Sequence, residues 1–120
     1  MKLTNNQIYS YATNLAALDI EVKMPVRINF FLQKNIQEIQ RLAQEIDAAR
    51  ISVAKEFGEL NEEGSAYNIP PEKMEAAQKE LNDLFALEQD ANIHIFKLDD
   101  FDNIELTPQQ LSAIIFMIEE

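Results

Sequence analysis

The sequence predicts a mainly α-helical fold: a long antiparallel helical hairpin, a flanking helix at each terminus and a small two-stranded β ribbon. Two observations support this prediction. From Val26 to Phe57 there is no glycine or proline, and apolar residues recur at alternating steps of four and three, which is the spacing of a helical heptad. After a polar connection the same rhythm returns between residues 74 and 88, so two helices can pack side by side.

The chain has 120 residues, of which 47% are hydrophobic and 26% are charged. This length is typical of one domain and is sufficient to bury a core. The composition is ordinary for a globular protein. We therefore expect a single helical domain over residues 1–120.

The first helix is predicted over residues 5–18. Thr4 and Gln7 have the spacing of a capping box, in which each side chain bonds the other residue's backbone. Residues 19–24 then alternate between polar and apolar, which favours a short strand. A helix start between residues 19 and 28 remains the open alternative, because element boundaries are the weakest part of such predictions.

The second helix is predicted from Val26 to Phe57 with its end at Gly58, and 32 residues give a length of about 48 Å. Its apolar residues at alternating steps of four and three form a seam along one face, in which Arg50 is the one charged residue. We therefore expect Arg50 to extend into solvent or to meet an acidic partner. A seam longer than its internal partner can also form a dimer or receive another protein's helix. The seam consists of Leu32, Ile36, Ile39, Ala43, Ile46, Arg50, Val53 and Phe57.

The third helix is predicted from Pro71 to about Asp90, antiparallel to the second. Residues 91–98 are predicted to be a strand that pairs with residues 19–24. Thr107 and Gln110 form a second capping box and begin the last helix. The third helix is too short to cover the start of the second, so the terminal helices should cover its apolar residues Ile28, Phe30, Phe31 and Ile36.

The charge and composition exclude several classes of protein. The formal net charge is −11 and the pI is near 4.4, which disfavours direct binding of nucleic acid. There is no cysteine for a thiolate metal site, and two glycines cannot make a Gly-rich phosphate loop. No apolar stretch approaches the ~18 residues of a membrane helix, and the N-terminus lacks a signal peptide's apolar segment. We expect a cytoplasmic protein, inside a host cell.

No group of residues predicts catalysis, a cofactor or a metal site. The acidic turn formed by Asp99, Asp100, Asp102 and Glu105 lacks the ligand spacing of a calcium-binding loop. His94 is the sole histidine, and a catalytic triad or a zinc site needs converging partners. We therefore predict a protein that is not an enzyme.

Two surfaces are candidates for binding a partner. The first is apolar and belongs to the second helix and the C-terminus, where Phe116 and Met117 lie off the predicted stripe Leu111, Ile114, Ile115 and Ile118 and are either covered or exposed for contact. The second is acidic and lies on the third helix, where carboxylates could imitate nucleic-acid phosphate or simply be a solvated face. The candidate residues are Phe31, Phe116, Met117, Glu75, Glu80 and Asp83.

Several segments resemble small uncharacterised proteins encoded by tailed phages and prophages of Gram-positive bacteria. The resemblance covers both ends and the middle of the chain, matches the central hairpin in kind, and transfers no site residues. It implies a phage context. The segments are residues 1–7 (Met-Lys-Leu-Thr-Asn-Asn-Gln), residues 24–26 (Met-Pro-Val) leading into a long helix with Asn35, residues 104–111 (Ile-Glu-Leu-Thr-Pro-Gln-Gln-Leu) and residues 116–120 (Phe-Met-Ile-Glu-Glu).

These observations together predict a non-enzymatic protein-binding module of phage type, an assembly factor, chaperone or adaptor that uses helical apolar surface. Its partner would be a phage structural protein or a host defence protein, and a homo-oligomer is a further option. The alternative is an acidic inhibitor that occupies the nucleic-acid groove of a host defence protein. Direct contact with nucleic acid or with a membrane is not expected.

Overall fold

The computed structural model describes residues 1–18 and 23–119, and within them the fold is mainly helical, as predicted. Short strands lie before, between and after the helices and pair with one another two by two. Two short 3₁₀ turns lie near the C-terminus. In chain order the elements are β1 (Lys2–Thr4), α1 (Asn5–Ala16), α2 (Val26–Phe57), β2 (Glu59–Leu60), β3 (Tyr67–Asn68), α3 (Pro71–Ala86), β4 (Glu88–Asp90), β5 (Phe96–Lys97), a 3₁₀ turn (Leu98–Phe101), α4 (Pro108–Ile114), a second 3₁₀ turn (Ile115–Met117) and β6 (Ile118–Glu119).

Both predicted capping boxes are present. Thr4 Oγ1 accepts from the Gln7 N–H at 3.1 Å, while Gln7 Oε1 accepts from the Thr4 N–H at 2.9 Å. Thr107 and Gln110 make the same pair of bonds at the start of α4. The first helix ends at Ala16, two residues before the predicted end. Residues 19–22 of the predicted strand lie outside the described residues, and residues 23–25 belong to no strand.

Helix α2 has the predicted bounds. Its seam residues from Leu32 to Ile46 face the core. Arg50 is exposed, and its Nη2 lies 3.0 Å from Asp47 Oδ1, so both predicted outcomes are present. Gly58 caps the helix, and a Cβ at this position would lie 2.6 Å from the Ala54 carbonyl oxygen. Only glycine allows so close an approach of backbone to backbone.

Helix α3 ends at Ala86, so the predicted end at Asp90 is wrong. The next residues leave the helix and pair antiparallel with β1, with Leu3 opposite Gln89. The side chain of Asn5 completes this junction: its Nδ2 donates to the Leu84 carbonyl at 2.8 Å, and its Oδ1 accepts from Gln89 Nε2 at 2.6 Å. The Leu84 carbonyl, in the last turn of α3, accepts from the N–H of the capping residue Leu87 at 3.3 Å as well as from Asn5.

The predicted ribbon between residues 19–24 and 91–98 is also wrong in its described part. Residues 91–95 form no strand, and β5 pairs parallel with β6, placing Phe96 opposite Ile118. Long-range contacts therefore determine the conformation of this segment: Glu38 and Asn35 of α2 accept from the Asn92 and His94 N–H groups, and β6 pairs with Phe96.

The molecule is elongated, measuring 56 × 29 × 21 Å with a radius of gyration of 17.9 Å. A compact chain of this length would have a radius of gyration of about 13.6 Å. The buried residues of α2 run only from Ile28 to Ile46, and α3 adds only Ala77. We call residues 47–86 the arm. Its far part extends beyond this core, whereas Phe85, at its end, packs against the core. In the part of the chain that the structure describes, no helix is long and apolar enough to cross a membrane.

Candidate functional site

Opposite charges are concentrated at opposite ends of α2. Residues 23–37 contain three basic side chains and no acidic one, which gives +3. The arm contains nine acidic and four basic side chains, which gives −5. The positive charge at the start of α2 is local, because the 3₁₀ turn that reaches this end of the molecule through Phe101 carries Asp99 and Asp100. Exposed charges are screened beyond about a Debye length, ~8 Å at physiological ionic strength.

An exposed apolar strip lies at the basic end. Val26, Phe30 and Lys34 are four residues apart and so lie above one another on one face of α2. The exposed fraction is 86% for Val26 and 57% for Phe30. These three residues and Arg27 are called the α2 strip below. Three uncharged polar side chains line the same shallow groove: Asn29, Gln33 and Gln37.

The phase of the helix explains why Phe30 remains uncovered. At about 100° per residue, Phe30 lies roughly 160° from Leu32, the first residue of the seam. Elements that cover the seam therefore cannot reach it. Of the apolar residues expected to be covered, Ile28 and Ile36 are buried, Phe31 is half-buried, and Phe30 is exposed.

Phe30 is the outermost member of a file of aromatic rings that leads into the core. Its ring meets Phe31 edge-on at 5.3 Å, and Phe31 stacks on His94 at 4.0 Å with 12° between the planes. His94 meets Phe96 edge-on at 4.8 Å, and Phe96 meets Phe101 at 5.2 Å. Phe96 and Phe101 are buried. Because edge-on and offset ring contacts are favourable, the file limits the freedom of the exposed ring before any partner arrives.

Two cations lie near the outer rings. Lys34 Nζ is 5.7 Å from the centre of the Phe30 ring, and Arg27 Cζ is 6.0 Å from that of Phe31. Cations over ring faces at this distance are attracted by the ring quadrupole. The α2 strip therefore presents an aromatic side chain next to positive charge, and it suits an apolar pocket bordered by carboxylates.

Asn35 holds the inner part of the file in place. It is buried, its Nδ2 donates to the His94 carbonyl at 2.9 Å, and its Oδ1 accepts from the His94 N–H at 2.8 Å. Sequence reasoning missed this role. The available signal was an asparagine three residues after Leu32, within the buried stripe of α2, where a polar side chain needs a partner.

The candidate aromatic and C-terminal residues have internal partners. Phe31 is half-buried in the file, and Phe116 is half-buried with its ring stacked on Tyr11 at 4.0 Å. Met117 is fully buried with 0% exposure, so its role as a contact residue is wrong. Helix α4 ends at Ile114, and the 3₁₀ turn that follows directs Met117 inwards while Ile115 is exposed.

The candidate carboxylates Glu75, Glu80 and Asp83 are all exposed on α3. Lys79 lies between them in sequence, and its Nζ is 3.5 Å from Asp83 Oδ2. With four acids and two lysines, the 16-residue helix carries −2 over about 24 Å. That is one net charge per 12 Å, against one per ~1.7 Å along duplex DNA. The density of charge on α3 therefore gives little support to phosphate mimicry.

The acidic turn has a structural role. Asp100 Oδ2 accepts from the Lys97 N–H at 2.9 Å and so begins the 3₁₀ turn. His94 contacts the rings of Phe31 and Phe96. Within residues 1–18 and 23–119, no three His, Cys, Asp or Glu side chains are grouped so that they could hold a metal ion.

Comparison of the chain with protein-family models, with curated proteins and with solved structures gives no match. The α2 strip is accordingly interpreted from its own contacts, exposure and charge.

Proposed function

We propose that this protein is a non-enzymatic protein-binding module of phage origin, an assembly factor, chaperone or adaptor that works in the host cytoplasm. The observation that carries the proposal is the exposed Phe30 ring, which continues an aromatic file into the core. The phage context rests on the sequence resemblance described above.

A protein is the partner that suits this surface best. Aromatic residues and arginine are enriched in protein interfaces, and a few such residues supply most of the binding energy. Phe30 fits the central position of such a contact, with Val26 beside it and Lys34 and Arg27 at the rim. Because the Phe31 ring already contacts Phe30 edge-on, binding costs less conformational entropy than it would for a free side chain.

A pull-down from phage-infected bacterial lysate tests the proposal. Tagged wild-type protein is compared with Phe30→Asp and with the control Ile115→Asp, which changes an equally exposed apolar residue of the C-terminal turn. A specific protein should be retained at high salt by the wild type and by the control, and lost with Phe30→Asp. Equal retention by Phe30→Asp would show that the α2 strip does not bind the partner.

The acidic inhibitor of a host nucleic-acid-binding defence protein stays the alternative prediction. It is tested by changing Glu75, Glu80 and Asp83 together to Lys. Mimicry predicts that a host nucleic-acid-binding protein is captured at low salt, released at high salt, and lost with the triple variant, because exposed charges are screened by salt. Capture that survives the triple variant excludes mimicry through α3.

A further inference from the structure

A second row of side chains follows the exposed side of α2 along most of its length. From Val26 to Ile51 its members recur at alternating steps of four and three, the spacing of a helical heptad. All of them are exposed except Asp47, which is half-buried. We call it the outer row. It consists of Val26, Phe30, Gln33, Gln37, Gln40, Gln44, Asp47 and Ile51.

The outer row lies on a different face of α2 from the seam. Each of its four glutamines directly follows a seam residue, so it lies about 100° farther around the helix. Gln40 and Gln44 line a groove whose other wall is α1, with the small side chains of Ala12 and Ala16. No residue from 3 to 18 is charged. Another helix can therefore lie against the row, which is about 38 Å long, without meeting a charged side chain of α1.

The outer row is complementary to itself about its midpoint, between residues 38 and 39. If a second α2 lies antiparallel, the members equally far from that midpoint come opposite each other. Amide side chains both donate and accept hydrogen bonds, so the central glutamines can bond across the contact, while apolar residues meet at its two ends. The opposed pairs are Val26 with Ile51, Gln33 with Gln44, and Gln37 with Gln40.

Phe30 and Asp47 form the remaining pair of this arrangement. Asp47 Oδ1 accepts from the Tyr9 hydroxyl at 3.2 Å, which directs the carboxylate towards α1. In a seam of two helices each side chain enters a hole formed by four residues of the other helix. For Phe30 that hole includes Ala48 and Ile51, both exposed, so the ring meets apolar surface. In a parallel pairing the two Asp47 carboxylates would instead come together and repel.

Charged residues along one flank of the row are arranged to pair as well. Lys34 comes close to Glu45 of the other copy, and Arg41 close to Glu38, each displaced by about 3 Å along the axis from the position directly opposite. Within one copy Arg41 already bonds Glu38 and Glu45. Exposed ion pairs contribute little free energy, so these charges favour the antiparallel orientation but do not drive association. The glutamines and the apolar ends supply the contact.

We propose that two copies of this protein associate through their outer rows, with the two α2 helices antiparallel. The contact is isologous, so the dimer is closed. Polar residues within a helical seam specify its register at a cost in stability, and two copies of net charge −11 repel each other. The dimer is therefore weak, and its formation depends on protein concentration. The inference goes beyond the proposed function, which requires another protein. Because Phe30 belongs to both surfaces, a dimer and a captured partner compete for it.

Disulfide cross-linking tests the orientation and the register together. The chain has no cysteine, so variants with one cysteine have no background reaction. Oxidation of an equimolar mixture of Gln33→Cys and Gln44→Cys should give the mixed disulfide at least tenfold faster than either variant reacts with itself. Two copies of residue 33 would lie about 17 Å apart along the axis, whereas a disulfide needs Cα atoms within about 7 Å. Ser112→Cys, exposed on α4, is the control for random collision.

Sedimentation velocity of the purified full chain over a concentration series measures the association itself. Gln33→Lys combined with Gln44→Glu should tighten the dimer, because the two introduced charges are opposite in sign and face each other twice. Gln33→Lys combined with Gln44→Lys should weaken it more than tenfold, although this change adds two positive charges to a chain at −11 and so reduces the general repulsion. Circular dichroism verifies that every variant keeps the helical content of the wild type.

Wild-type protein that remains monomeric at every concentration overturns the inference. Equal dissociation constants for the two double variants, or cross-linking of Gln33→Cys with itself as fast as with Gln44→Cys, also overturn it. Failure here is distinguishable from failure of the proposed function, because both experiments use only the purified chain. A monomeric protein that captures a lysate partner through Phe30 retains its proposed function. A dimer without Phe30-dependent capture retains only the self-association.

Discussion

Asn35 and His94 are joined by two hydrogen bonds that connect a buried helix side chain to the backbone of a segment without regular structure. The amide donates to the His94 carbonyl at 2.9 Å and accepts from the His94 N–H at 2.8 Å. Asn35 thus supplies the hydrogen-bond donor and acceptor that a neighbouring strand would otherwise supply to the backbone of His94. The same amide nitrogen lies 3.3 Å from Met117 Sδ, so one side chain connects α2, the 91–95 segment and the C-terminal turn.

Replacing Asn35 should destabilise the fold strongly. Asn35→Ala leaves the buried amide's two backbone partners without a bond, and we expect the free energy of unfolding to fall by about 2–3 kcal/mol. Urea denaturation measures this change. Asn29→Ala is the matched control, because Asn29 is exposed on the same helix, and its effect should stay within about 0.5 kcal/mol. Equal effects of the two variants would contradict the structural role of Asn35.

Replacing Phe31 should lower the stability of the fold, whereas replacing its neighbour Phe30 should hardly change it. Phe31→Ala removes the ring that stacks on His94 and packs against the core, so we expect a loss of about 2 kcal/mol in stability. Phe30→Ala removes an exposed ring and should cost less than about 0.5 kcal/mol. Denaturation curves of both variants provide the comparison. A large stability loss with Phe30→Ala would mean that this ring serves packing instead of binding.

Met117 should behave as a core residue. Met117→Ala leaves a cavity in the interior, and we expect it to lower the free energy of unfolding by about 2–4 kcal/mol. Ile115→Ala in the same turn alters an exposed side chain and should cost less than about 0.5 kcal/mol, as is usual for surface positions. Thermal melting of the two variants tests this difference. A normal melting temperature for Met117→Ala would contradict its burial.

Glu38 should make the stability depend on pH in the acid range. Partial burial raises the pKa of this carboxyl, but hydrogen bonds from the Asn92 N–H and from Arg41, together with the charge of Arg41, lower it below its ordinary value of 4.5. The unfolded state then binds the proton more readily than the folded state. The stabilisation is therefore present above the unfolded pKa and is lost as the pH falls through the folded pKa.

The test compares wild type with Glu38→Gln between pH 7 and pH 2.5. The difference in the free energy of unfolding should be largest near neutral pH and should shrink as the pH falls below 4.5. Glu45→Gln is the control, since it removes only an exposed ion pair with Arg41 and should cost less than about 1 kcal/mol. A constant difference between wild type and Glu38→Gln across the pH range would exclude the linkage.

The candidate site was only partly predictable. Phe31 was selected because apolar residues at the start of α2 exceed what α3 can cover, and the structure places it beside the exposed Phe30. Which of the two rings is exposed depends on which face of α2 the other elements cover. For Met117 the decisive factor is the end of α4 at Ile114 and the 3₁₀ turn that follows. That turn is a property of tertiary packing and has no short-range signal.

By itself the sequence determined the features that depend on neighbouring residues. The bounds of α2, the capping box at Thr4 and the helix end at Gly58 follow from heptad spacing, side-chain bonds across three residues and one close backbone contact. Interactions within a few residues carry these signals, so a single sequence suffices to read them.

Only the tertiary structure decided where the segments between and after the helices lie. Residues 88–90 leave α3 because β1, more than 80 residues earlier, offers them a partner, and Phe96 pairs with Ile118 instead of the predicted ribbon. A short segment gains little from its own propensity, so the backbone hydrogen bonds that distant residues can supply determine its conformation. The exposure of Phe30 has the same origin, because it results from which faces of α2 the other elements cover.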